Sequence, residues 1–336
     1  MKKIVFSHTP KFGGPRRFQD YLVEQISHYS WQVSGKNNLK NAELAFVNIG
    51  TKDFIFLIKC KIYKVPIVLR LDGVNWDHRC NAYSLKAKIY QEARNIIMQS
   101  IRRFFASHII YQSEYIKSMW DFHFGAVNTP YSIIYNGVCP NAFCPSRHYS
   151  ESKSISLLCV EGSIQNKPHI PILFNSISEK LIKKGLLKEI VLVGKLNYSL
   201  KNELKDIEGL KVQGVVNKDQ MSKLYQNSSL FLCLELNPPC PNSVLEAMAC
   251  GLPILGYDTG ALKELVGSEA GILLNYDTNP YDFTIPNTDH LVSALAELLM
   301  DEKKMFKMSE NARIRSINNF NINLTLKKYF KLFNEL

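Results

Sequence analysis

The densest cluster of chemically useful residues is the run Asn237-Pro238-Pro239-Cys240-Pro241-Asn242-Ser243-Val244-Leu245-Glu246. It follows a short apolar stretch, 230–234, and precedes a helical pattern that Gly251 ends as a left-handed C-terminal residue. A helix starting near Asn242 or Ser243 has first-turn N–H groups with no internal partner and the positive end of its dipole beside them, which suits a diphosphate. Asn242, Ser243 and Val244 then become anion donors. Glu246, one turn in, is placed to accept hydrogen bonds from ribose hydroxyls. The competing reading is local: Asn242 or Ser243 caps the helix and Glu246 complements its dipole. Three prolines remove three backbone donors from the turn, so of those four residues Cys240 alone keeps an N–H.

Other candidates are spread along the chain. Glu161-Gly162-Ser163 ends an apolar stretch and leads to Lys167, and Lys195 stands just after Gly194. Gly13-Gly14 opens a helical pattern with Arg16 and Arg17 close by, a pairing that lets backbone approach a phosphate and also fits a solvated basic loop. Asp72 follows the apolar stretch 67–71. Its carboxylate suits a ligand hydroxyl, and equally an ion pair with Arg70 or a turn before Gly73. His8 and His78 are further possibilities. The eight cysteines form no C-x-x-C pair and no His cluster joins them, so a zinc site is not expected, and Cys159, Cys233 and Cys250 read as small core side chains.

The elements that must position these residues alternate. Short apolar runs at 4–7, 44–48, 67–70, 107–112 and 132–135 are separated by helical spacing, and a second cycle runs from 157 through 189–193, 210–212, 230–234 and 253–256. Unalternated short apolar strands between helices indicate parallel sheets covered on both faces. The fold class is α/β, with two doubly wound Rossmann-like domains facing a central cleft. The expected boundaries are 1–145 and 146–319, split at the Pro/Ser-rich stretch 140–146, with a terminal helix at about 320–336 packing back on the first domain. Residues 86–105 read as a basic amphipathic helix whose stripe of Leu85, Ile89, Ile96, Ile97, Ile101, Phe104 and Phe105 is core.

Charge divides sharply. Residues 1–150 hold 20 Lys+Arg and 9 Asp+Glu, residues 151–336 hold 21 of each, and the whole +11 excess lies in the first part. Such a field attracts anions, and also simply aids solubility. With 46% hydrophobic and 21% charged residues the chain is neither disordered nor fibrous. No apolar run is long enough to span a bilayer, and the N-terminal stretch is too short for a signal peptide. A cytoplasmic protein is expected, at most peripheral on the cytosolic face of an anionic membrane.

The string Leu245-Glu246-Ala247-Met248-Ala249-Cys250-Gly251-Leu252-Pro253 resembles the donor signature of retaining glycosyltransferases of the two-domain GT-B type, in particular glycosyltransferase family 4. Gly13-Gly14, Tyr135-Asn136-Gly137-Val138, Glu161 to Lys167, Val191 to Gly194, Gly214 to Val216, and Gly260 with Glu264 occur in that family's order. The resemblance implies a nucleotide-sugar donor on the second domain and a saccharide or lipid-linked acceptor on the first. It implies transfer with retention, without a metal or other cofactor, in glycan or cell-surface polysaccharide synthesis. Asp72 and Lys167 would be catalytic. Gly13, Gly14, Ser163, Lys167, Lys195, Val216, Cys240, Asn242, Ser243, Val244 and Glu246 would hold the donor. Two departures stand out. Pro238 occupies the place of the family's first motif glutamate, as in a subset with a Cys-Pro-Asn-Ser turn, and Ser163 that of its phosphate-binding arginine. They motivate an alternative, a non-catalytic nucleotide-sugar-binding protein on the same fold. A sugar phosphorylase or nucleotide-sugar epimerase would share the architecture. A nucleic-acid partner is not expected, because the basic excess is not interleaved with aromatics in a recognised module.

Overall fold

The computed structural model describes residues 1–11, 13–79, 83–146, 155–163, 169–282 and 286–336, without the side chains of residues 163, 169 and 218. The chain divides into two compact units, residues 1–137 with 322–336, and residues 138–321. The expected divisions at 145 and 319 therefore shift, because the segment 138–146 belongs with the second unit. Its Phe143 ring packs edge-on against Tyr225, and Arg313 donates to the Phe143 and Pro140 carbonyls.

Unit 1 runs β1 (Lys2–Phe6), α1 (Gly13–Gln25), β2 (Trp31–Val33), β3 (Leu44–Asn48), α2 (Phe54–Ile62), β4 (Ile67–Leu71), α3 (Leu85–Ser100), β5 (His108–Tyr111), α4 (Glu114–Phe124) and β6 (Tyr131–Ile133). All strand pairs are parallel, in the order β2-β1-β3-β4-β5-β6. Strands β3, β4 and β5 are buried at every position, which is why they read as continuous apolar runs. The chain moves outward from β1 to β2, then returns past β1 to β3, so the direction of winding reverses between β1 and β3.

One helix completes this unit from the far end of the sequence. Residues Ile322–Glu335 lay Tyr329 on Phe18 at 4.8 Å, Phe330 on Tyr29 at 4.2 Å and Phe333 against Trp31 and Phe46. A Cβ on Gly137 would stand 2.6 Å from the Ile322 Cα, so only glycine lets the chain pass that close.

The helix expected at 86–105 forms, but of its stripe only Ile101 is fully buried. Leu85, Ile89, Ile96 and Phe104 are exposed. The inward face is Asn95, Met98, Ile101 and Arg102, with a π-helical turn over Ile101–Phe105. Polar groups are tolerated inside because each is satisfied. Arg102 donates to the Tyr111 hydroxyl at 2.8 Å, the Gly125 carbonyl at 2.8 Å and the Asp121 carboxylate. Asn95 donates to the Asn75 carbonyl at 2.8 Å.

Near the start of α3, Arg79 bonds Glu92 at 2.6 Å and His78 bonds it at 2.9 Å. The Arg79 bond, foremost, holds the Glu92 carboxyl down at about 2 despite partial burial. A carboxyl held below its unfolded value, about 4.3, stabilises the fold above that pH and loses the contribution as pH falls towards 2. Glu92 is partly solvated, so the contribution is modest. Glu92→Gln is expected to flatten this acid limb, read as the urea midpoint across pH; an unchanged limb would assign it to other carboxylates.

Unit 2 runs β7 (Ser156–Ser163), α5 (His169–Ile177), β8 (Glu189–Lys195), α6 (Tyr198–Leu204), β9 (Leu210–Gly214), α7 (Lys218–Gln226), β10 (Leu230–Cys233), α8 (Asn242–Ala249), β11 (Ile254–Tyr257), α9 (Leu262–Val266), β12 (Gly271–Leu274), α10 (Thr288–Met300) and α11 (Glu302–Phe320). The helix Ile322–Glu335 is then α12. Its sheet is also wholly parallel, ordered β12-β11-β10-β7-β8-β9, and winding reverses between β7 and β10. Both sheets are thus Rossmann-like. The strands absent from the sequence reading, β2 and β12, are both edges.

Candidate functional site

The expected site residues of unit 2 gather at the carboxyl ends of its strands, beside the reversal between β7 and β10, where open parallel sheets bind ligands. Strand β10 leads through residues 234–241 into α8. The turn is held from below. Asn237 adopts a left-handed backbone, φ 53°, and its N–H donates to the Thr259 hydroxyl at 3.3 Å; the Ala261 N–H donates to the Pro238 carbonyl at 2.9 Å. The Asn237 amide nitrogen Nδ2 is buried with no acceptor among the described residues.

Helix α8 is capped at one end only. Pro241 is the residue before its first turn, and its side chain makes no cap bond to the Asn242, Ser243 and Val244 N–H groups. Neither Asn242 nor Ser243 caps the helix, because both lie inside it and the cap position is a proline without a suitable oxygen. By contrast α2, α3, α4, α6, α7, α10 and α11 all carry side-chain caps. At the other end Gly251 is left-handed, φ 76°, and Arg313 donates to the Ala249 carbonyl, complementing the negative end of the dipole. The helix is buried from Val244 through Ala249, so its dipole is little screened. At the half that an anion would complete, the cap residue supplies no side-chain bond.

Glu246 is 6% exposed, and the Tyr225 hydroxyl donates to its Oε2 at 3.2 Å. Tyr225 itself is locked between Phe143 and Phe231. A buried carboxylate one turn into a helix is an acceptor of the kind that recognises a polyol's hydroxyls. Along the neighbouring strand ends lie Ser163 at the end of β7, exposed Lys195 at the end of β8, and half-buried Val216 just beyond Gly214 at the end of β9. Strand β7 is flanked by β10 and β8, so the ends of these strands and the turn into α8 lie next to one another. Cys240 is buried, 3% exposed. Lys167 lies outside the described residues. Residues supporting the site that sequence reasoning missed are Thr259 and Arg313. Arg313 carries no sequence signal, since its partner lies 64 residues away.

In unit 1, Gly13 and Gly14 open α1, Gly13 with φ 80°. Asp72 forms a turn: its Oδ1 accepts the Gly73 N–H at 2.8 Å, and no ion pair joins it to Arg70. The Arg70 guanidinium instead donates to Asn48 at 3.1 Å and Asn136 at 2.6 Å, over the Phe18 ring. His78 is buried and tied to Glu92, a structural role. His8 lines a cavity of about 530 Å³ at the ends of β1 and β3, with Lys36, Lys52 and Arg94 in its wall. Desolvation, then the Lys36 cation, holds the imidazole below its ordinary value. The cavity wall also contains Ile49 at φ 75°, a strained backbone for a β-branched residue of the kind that clusters at functional sites. Sequence reasoning missed this cavity; Ile49-Gly50 directly after a strand was its available signal. Among the described residues no three His, Cys, Asp or Glu side chains converge as metal ligands.

The family described as Glycosyl transferases group 1 matches residues 180–315, within unit 2. A processive diacylglycerol beta-glucosyltransferase of Bacillus licheniformis is 25% identical over 143 residues, 43% of this chain and 36% of that protein. An N,N'-diacetylbacillosaminyl-diphospho-undecaprenol alpha-1,3-N-acetylgalactosaminyltransferase of Campylobacter jejuni is 24% identical over 200 residues, 56% of this chain and 50% of that protein. The matches thus span half or less of these curated relatives. Among solved structures, sucrose-phosphate synthase from Thermosynechococcus elongatus aligns with TM-score 0.77 and 13% identity, covering 100% of this chain and 99% of that one. Anabaena HepE in complex with UDP-glucose aligns with TM-score 0.76 and 15% identity over 100% of both chains. At such identities the structures speak for the fold, which is the two-domain α/β fold of GT-B glycosyltransferases.

Proposed function

We propose that the protein is a glycosyltransferase that moves a sugar from a nucleotide sugar to a saccharide or lipid-linked acceptor, retaining anomeric configuration. The observation that carries this is the α8 N-terminus: uncapped, set in a buried helix and beside a buried carboxylate at the winding reversal of its sheet. The donor diphosphate meets the Asn242, Ser243 and Val244 N–H groups, and Glu246 takes the ribose hydroxyls. The bond from the sugar's anomeric carbon to the diphosphate oxygen breaks, and a bond to the acceptor hydroxyl oxygen forms on the same face. The hydroxyl proton passes to the departing phosphate. Charge grows on that phosphate in the transition state, where the helix dipole is worth most, and this route asks for no metal. Lys167 and Lys195 are the cations proposed beside it. In unit 1, Gly13, Gly14 and Asp72 serve the reaction, and the cavity beside His8 takes the acceptor.

The test is titration with UDP and with UDP-glucose, the ligands of the HepE structures. The wild type is expected to bind. Glu246→Ala is expected to weaken binding about 10- to 100-fold, the cost of losing hydrogen bonds to a charged group, with an unchanged circular dichroism spectrum. Equal affinity would remove Glu246 from the site.

The alternative of binding without transfer draws on Pro238, Pro239 and Pro241, which leave the turn before α8 few backbone donors for a sugar. UDP binding without transfer to any acceptor and without donor hydrolysis would favour it.

A further inference from the structure

Helices α2 and α3 carry an apolar surface that nothing in the described chain covers. Crossovers from β3 to β4 to β5 advance in one direction, so right-handed connections put both helices on the same face of the sheet. They are neighbours: Lys52 Nζ lies 5.2 Å above the Tyr90 ring, and Phe54 meets Phe105 edge-on at 6.0 Å. Helix α2, Phe-Ile-Phe-Leu-Ile-Lys-Cys-Lys-Ile, carries apolar side chains on its outer as well as its inner face. Phe56, Leu57 and Cys60 fill the inner face, whereas Ile55, Ile58 and Ile62 point outward, 68%, 49% and 67% exposed. On α3 and the turn after it Leu85, Ile89, Ile96 and Phe104 are 74%, 61%, 59% and 66% exposed. A helix apolar on both faces belongs against a second apolar phase.

The charges around these side chains say which phase. Residues 52–105 hold 11 Lys+Arg and 4 Asp+Glu. The four acids are engaged internally: Asp53 with Lys36, Asp72 with the Gly73 N–H, Asp77 with the Tyr83 hydroxyl and Glu92 with Arg79. Lys59, Lys61, Lys64, Lys86 and Arg103 are exposed among the isoleucines. A second copy would bring like charge against like across a two-fold axis. An anionic bilayer takes both components, the apolar side chains entering the acyl boundary and the cations meeting headgroups.

We infer that the α2–α3 face of unit 1 docks on an anionic lipid bilayer, with Ile55, Ile58, Ile62, Leu85, Ile89 and Phe104 inserted at the interface. No helix among the described residues is long and apolar enough to cross a membrane, so the contact is interfacial. The inference goes beyond the sugar-transfer reading and does not depend on it.

The full chain is sedimented with vesicles of phosphatidylcholine alone and of phosphatidylcholine mixed with phosphatidylglycerol. Binding is expected to rise with phosphatidylglycerol and to weaken in about 0.5 M NaCl, where screening shortens to a few ångströms. The triple variant Ile58→Gln, Ile62→Gln, Ile89→Gln removes exposed side chains only, so it folds. It is expected to lose about tenfold or more in partitioning while its UDP-induced thermal shift matches the wild type. Lys59→Gln with Lys61→Gln and Lys64→Gln is expected to reduce the preference for anionic over neutral vesicles. Absence of vesicle binding, equal binding to both vesicles, or a dimer by light scattering that the isoleucine variant dissociates would each overturn the inference. A protein that sediments with vesicles but binds no UDP would sink the transfer reading and leave this one standing.

Discussion

Gly260→Ala is expected to cost about 3 kcal/mol or more of stability and to abolish nucleotide binding with it. Gly260 has φ 60°, and a Cβ there would stand 2.4 Å from the Pro238 nitrogen and 2.6 Å from the Asn237 carbonyl carbon. Both are backbone atoms, so no side chain can swing aside. The turn cannot retreat either, because the Pro238 carbonyl is tied to the Ala261 N–H and Asn237 to Thr259. Displacing the turn moves the start of α8, whose first N–H groups are the proposed diphosphate donors. Urea denaturation and UDP titration of one variant read both effects. Near-native stability with full UDP affinity would show that the turn is not the rigid base of the site.

Arg102→Met is expected to destabilise by about 3 kcal/mol, the low end of the range for breaking a buried ion pair from one side. Arg102 is fully buried, with bonds to Tyr111, Gln99, Gly125 and Asp121. The loss falls at the low end because Asp121 is partly solvated and keeps Lys117 at 2.7 Å. Asp121→Asn, which leaves the buried cation without its carboxylate, is expected to be comparably damaging, and the double variant less damaging than the sum of the two. Strict additivity in the urea midpoints would mean that the pair does not couple.

Arg102 also shows where the sequence stops being legible. A helical wheel sorts side chains by polarity, and an arginine is assigned to water. Its burial depends on Asp121 and Gly125, which only the fold brings near, so the wheel turned the inner face of α3 outward and placed Leu85, Ile89, Ile96 and Phe104 in the core. The central strands were readable because they are buried on both faces, Leu44–Asn48 and Leu230–Cys233 being unbroken apolar runs. The edges were not. In Trp31–Val33 only the tryptophan is buried, and in Gly271–Leu274 only the glycine, so neither leaves an apolar run. In the site, Glu246 and the α8 N-terminus were visible as a local string. Asp72 was open between roles, and its geometry shows a turn. The support from Thr259 and Arg313 depends on long-range contact and leaves no local trace.

Unit 1 is discontinuous in sequence, and that has a consequence for biogenesis. On the ribosome, its sheet emerges first yet lacks α12, so Trp31, Phe46 and Phe18 have no aromatic cover until residues 322–336 are made. Unit 2 is contiguous and can close in the interval. At bacterial-to-eukaryotic elongation speeds that interval lasts roughly ten to forty seconds. Throughout it the unit 1 part of the nascent chain presents an open aromatic groove of the kind chaperones shield, and a helix made after all of unit 2 is the one that seals the sheet made before it.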